Sequence, residues 1–129
     1  MDNKVVAHLW DGRLIKGTTA NFSPTREKFH ITLPTGKISE VYLQDLKAVF
    51  FVKLLEGNRS YRETKTLGGA RGVGRKARCV FSDGEVLTGF AAAYDPARVG
   101  FFLTPSDPKS NNERIFVVTA AIRNISFLP

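Results

Sequence analysis

Displaced against itself by 72 residues, this chain aligns Lys4 through Thr32 with Lys76 through Thr104 without a gap, and nine of the 29 positions are identical. The identities include Asp11-Gly12 with Asp83-Gly84, Gly17 with Gly89, Pro24 with Pro96, Arg26 with Arg98 and Phe29 with Phe101. A longer loop in the second copy, Pro105 to Asn112, then moves the offset to 76, where Leu46-Lys47 matches Ile122-Arg123 and Phe51 matches Phe127. The same punctuation in the same order twice points to duplication of one unit. In a chain of 129 residues each unit is near the lower size limit for a self-supporting core.

Each copy reads as five short strands. In the first, Val5 to Trp10 and Leu14 to Phe22 flank Asp11-Gly12, a pair that accepts the positive φ of a tight hairpin, and Phe29 to Leu33, Ile38 to Leu43 and Lys47 to Val52 follow. The second gives Ala77 to Phe81, Val86 to Tyr94, Gly100 to Thr104, Ile115 to Thr119 and Asn124 to Leu128. Leu43-Gln-Asp-Leu46 and Thr119-Ala-Ala-Ile122 suit a single helical turn before each last strand. Five strands in roughly 50 residues cannot cover both faces of a flat sheet, so curling into a small barrel is the economical solution. The expected fold is all-β: two tandem five-stranded barrels, residues 1–53 and 76–129, joined by a connector at 54–75.

Alternation along the strands assigns the faces. Val5, Ala7, Leu9, Phe29, Ile31, Val49 and Phe51 point inward in the first copy, and Ala77, Cys79, Phe81, Phe101, Leu103, Ile125 and Phe127 in the second. Cys79 is thereby a small core residue rather than a nucleophile. The outward positions differ between the copies. The first presents Val6, His8, Trp10, His30, Phe50 and Val52, where the second has Arg78, Ser82, Asn124 and Ser126 at matching places. An apolar outer face calls for cover by the other barrel, by a second copy of the chain or by a partner.

Charge is equally uneven. Of a net +7, residues 53–78 supply +6, with eight Lys/Arg against two Glu. This basic, glycine-rich segment, with Arg59, Arg62, Arg71, Arg75, Lys76 and Arg78, is a solvated linker or an arm for phosphates or an acidic partner. The longest apolar run, Leu46 to Leu55, is about half a membrane span and is broken by Lys47 and Lys53, so membrane insertion is not expected. A single cysteine and no signal-like N-terminus point to the cytoplasm. Two histidines on different strands fall short of a metal-ligand set, Gly68 to Gly74 lacks the Gly-Lys-Ser/Thr of a phosphate loop, and no catalytic trio or carboxylate pair stands out. Neither a metal, a cofactor nor an enzymatic activity is expected.

The run Ala7-His-Leu-Trp-Asp-Gly-Arg-Leu-Ile-Lys-Gly17 resembles the opening of Sm-like and other SH3-like small barrels. Sm proteins bind RNA through an Asn-rich loop after strand two and an Arg-Gly motif before strand five; here Ser23-Pro-Thr-Arg26 and Asp45-Leu-Lys47 occupy those places. Gly100-Phe-Phe-Leu-Thr-Pro-Ser-Asp-Pro108 and Ser110-Asn-Asn-Glu-Arg-Ile-Phe116 resemble segments of an uncharacterised bacterial family of tandem barrels, sometimes found beside PilZ domains. PilZ domains bind cyclic di-GMP through Arg-x-x-x-Arg and a later Asp/Asn-x-Ser-x-x-Gly. Arg71 and Arg75, followed by Asp95 and Gly100, are similar, with Ala97 in place of the serine.

The leading expectation is a non-enzymatic regulatory module of the bacterial cytoplasm, an adaptor contacting a protein partner or a second copy through His8, Trp10, His30 and Phe50. Nucleic-acid binding through the basic connector is the first alternative, and cyclic di-GMP binding at Arg71, Arg75, Asp95 and Gly100 of the second barrel is the other.

Overall fold

The computed structural model describes residues 2–55, 74–107 and 109–128. Ten strands follow in order: β1 (Asn3–Leu9), β2 (Leu14–Thr19), β3 (Lys28–Thr32), β4 (Ile38–Tyr42), β5 (Leu46–Val52), β6 (Arg75–Phe81), β7 (Val86–Ala92), β8 (Gly100–Pro105), β9 (Asn112–Val118) and β10 (Ile122–Phe127). Single 3-10 turns at Leu43–Asp45 and Thr119–Ala121 lead into β5 and β10, as the sequence predicts. Among the described residues no helix is long and apolar enough to cross a membrane.

All ten strands are antiparallel to their neighbours in one open sheet, ordered β10-β6-β7-β8-β9-β5-β1-β2-β3-β4. Each run of five strands keeps the same internal order, and the runs meet where β5 pairs with β9 from Ala48↔Val117 to Val52↔Asn112. The all-β expectation holds, but the strands belong to one continuous sheet rather than to two separate ones.

The hairpin turns repeat atom for atom. Gly12 and Gly84 sit at φ +90° and +94°, which a β-carbon would strain. The Gly12 N–H donates to Leu9 O at 3.0 Å and the Gly84 N–H to Phe81 O at 2.9 Å, while Asp11 and Asp83 each accept from the N–H two residues on at 3.0 Å. Gly17 and Gly89 serve a different need. Their strands pass so close to β3 and β8 that a β-carbon would collide with the Thr32 and Thr104 carbonyl oxygens.

Two cores lie on the sheet, and each borrows from the other half. Val5, Ala7, Leu9, Phe29, Ile31, Val49 and Phe51 form one, as expected, with Phe116 and Val118 of β9 added. Ala77, Cys79, Phe81, Phe101 and Leu103 form the other, joined by Val6, Ala48, Phe50 and Val52 of β1 and β5. All seven residues of β5 are buried, because the strand is covered on both faces. Asn111, in the longer loop of the second half, secures the exit from β5: its backbone oxygen accepts from the Lys53 N–H at 2.8 Å and its side chain exchanges two hydrogen bonds with the Leu54 backbone, at 3.0 and 2.9 Å.

Candidate functional site

The four residues expected to face a partner are divided by the fold. Phe50 is 5% exposed and packs into the second core, so the apolar outer face of the first half is largely covered by the second. His8 is half-buried with its ring centroid 4.3 Å from that of Phe50, and desolvation holds its pKa below the ordinary imidazole value against the pull of nearby Glu85. His30 belongs to a separate hollow with Asp2, Thr18 and Ile38, where its Nδ1 lies 3.0 Å from Asn21 Nδ2. Trp10 is 49% exposed, its backbone N–H bonded to Asp45 O at 3.0 Å just past the end of β1. Leu14, at the start of β2, is 50% exposed. Between β1, β2 and β5, Leu14, His8, Val6, Val52 and Leu55 line a shallow groove of about 270 Å³, with Lys16 and Glu85 as its charged members.

Beside Trp10 a clamp joins the halves. Lys47 of β5 reaches the β6–β7 turn, where its Nζ donates to Asp83 Oδ2 at 2.7 Å and to Glu85 Oε1, and it stands 4.7 Å from the centroid of the Phe81 ring. Its side chain is 11% exposed against 57% and 38% for the carboxylates. Burial pulls the ammonium pKa down, but hydrogen bonds to Asp83 and Glu85 outweigh it and leave the pKa raised. The Lys47 hydrogen bond and the Glu85 N–H hold Asp83 below the usual carboxylate range. The cation is satisfied within the fold, so the cluster's chemistry is that of a fastener.

Of the basic arm, Arg59, Arg62 and Arg71 lie outside the described residues. Arg75, Lys76 and Arg78 are exposed on β6, and the Arg75 guanidinium stacks 4.1 Å from the centroid of Phe127. Asp95, one of the residues picked out by the nucleotide resemblance, shapes its own loop. Its Oδ1 accepts from the Ala97 N–H at 2.9 Å, the role Ser23 Oγ plays for the Thr25 N–H at 3.3 Å in the first half. Gly100 packs against β9, where a β-carbon would meet the Val117 carbonyl and the Phe116 ring, and it lines a cavity of about 500 Å³ between the β2–β3 and β7–β8 loops.

Sequence reasoning passed over Leu14, although its alternation with the inward Ile15 marks it as an outward apolar residue, and over the Lys47 clamp, for which no local signal exists. Among the described residues no three His, Cys, Asp or Glu side chains gather as a metal site would require. Neither a curated protein nor a solved structure matches this chain. A family profile does match, over residues 1–129, and the protein belongs to that family, DUF6982, a family of unknown function.

Proposed function

We propose that this protein is a non-catalytic adaptor that engages a protein partner through the surface carrying Trp10, Leu14 and His8. The observation behind the reading is the exposure of Trp10 and Leu14, at 49% and 50%, Leu14 and His8 on a groove at the meeting of the two halves and Trp10 on a small hollow with Lys47, Phe81 and Asp83. Large apolar side chains exposed to water are the usual anchors of protein recognition, tryptophan above all. We also read the two runs of five strands as duplicated small barrels of the SH3-like or Sm-like kind. Their common strand order and equivalent turn hydrogen bonds support that reading, and the recognition surface lies where they fuse.

The test is a pull-down from the native cytoplasm with the wild-type chain and a Trp10→Ala, Leu14→Ser variant, each with and without nuclease. The expected result is a captured protein that survives nuclease and is lost by the variant. Trp10 is the single tryptophan, so a blue shift of its emission on adding the purified partner reports burial directly. Capture retained by a folded variant overturns the surface assignment. Capture abolished by nuclease moves the reading to nucleic acid on the basic segment, with the steep salt dependence that counterion release imposes.

A further inference from the structure

A second site of different chemistry lies between the loops that follow β2 and β7. The cavity there, about 500 Å³, is bounded by Pro24 and Thr25 from the first half and by residues of the 92–102 segment and Phe116 from the second. Its volume falls in the range of small-molecule pockets, which form preferentially where two structural units meet. Phe102, half-buried, supplies flat apolar surface above the buried Phe101 and Phe116, while Ala92, Ala93 and Ala97 leave space where larger side chains would fill it. The Phe102 and Phe116 rings also pack on Phe22, centroids 6.3 and 5.2 Å away, so this wall is braced from behind.

Two details set this cavity apart from an incidental gap. Ala93 adopts φ +54°, the only positive-φ residue other than glycine among those described, and it lines the cavity. Such backbone conformations are unfavourable for residues with a β-carbon and gather at binding sites. Arg98 is the one charged residue of the lining among the described residues. Its side chain is 70% exposed, and its acidic neighbour Asp95 stands 4.0 Å away with its other carboxylate oxygen engaged by the Ala97 N–H. A cation at the mouth of an apolar, aromatic-walled cavity matches a ligand with a flat apolar body and an anionic group.

We infer that this cavity binds a small aromatic anion, a ring bearing a carboxylate or phosphate, with the ring against Phe102 and the charge on Arg98. The site shares no residue with the groove of His8 and Leu14 or with the hollow at Trp10 and stands or falls independently of them. Phenyl phosphate, inorganic phosphate and phenol, titrated separately into the nitrogen-15-labelled full chain and followed by amide shifts, test it. Phenyl phosphate should shift Ala92, Ala93, Gly100 and Phe102 saturably and more tightly than either fragment. Arg98→Gln should weaken that binding roughly tenfold or more, and Ala97→Phe should block it by filling the cavity, both with otherwise native spectra. No saturable shift with phenyl phosphate overturns the inference. So does equal binding by Arg98→Gln, equal binding of phenol, which removes the role of the charge, or equal binding of inorganic phosphate, which removes that of the ring.

Discussion

At the scale of single residues, Cys79 shows how burial settles chemistry. Its side chain is fully enclosed between Phe81, Leu87 and the other residues of the second core, and desolvation pushes its thiol from 9.0 up to about 11. The sign of the linkage follows. Below pH 9 the thiol is protonated in both states and contributes nothing to the pH dependence of stability. Above it the unfolded chain loses the proton while the folded chain retains it, so stability falls as pH rises toward 11, by at most about 3 kcal/mol. Urea denaturation across that window should show a steeper loss for the wild type than for Cys79→Ala, and the native thiol should resist alkylation at neutral pH.

At the scale of elements, the join of β5 to the β6–β7 turn rests on unequal partners. Lys47 is nearly buried, whereas Asp83 and Glu85 retain much of their contact with water. Removing the cation by Lys47→Met frees two carboxylates that solvent can take up, and should cost about 1 kcal/mol. Removing both acids by Asp83→Asn and Glu85→Gln strands a buried ammonium, and should cost about 3 kcal/mol. Chemical denaturation of the two variants checks the order, and a costlier lysine substitution would contradict it. The lowered Asp83 pKa adds an acid dependence to the same join. Its contribution is present above the ordinary carboxylate range and is lost as pH falls through the lowered value.

At the scale of the whole molecule, the halves are bound by an exchange of core residues. Phe50 and Val52 complete the second core, and Phe116 and Val118 complete the first. Neither set of five strands is then self-sufficient, and the chain should unfold in one cooperative transition. Phe50→Ala should lower stability by about 3 kcal/mol and, although it lies on β5, should speed amide exchange in β6 and β7 as much as in β1. Exchange confined to the first half, or two separate transitions, would show that the halves are energetically independent.

The sequence by itself determined the elements. Asp-Gly pairs and alternation located all ten strands to within a few residues, and both 3-10 turns fell where single helical turns were expected, because turn chemistry and inward alternation are local properties. The inward set, including Cys79, was legible for the same reason, although Ile125 and Phe127, on the edge strand β10, are only half-buried against the second core. What only the tertiary structure decided is how the outward faces are used. Alternation left Phe50 and Val52 of β5 on an outer face in need of cover, but the strand that pairs with β5, β9, lies 60 or more residues along the chain, and no local pattern names it. That pairing buries Phe50, leaves Trp10 and Leu14 in water, draws Lys47 to Asp83 and Glu85, and brings two loops together around a cavity. Each candidate site is therefore made by contacts between the halves, whereas periodicity and turn signals report only on neighbours in sequence.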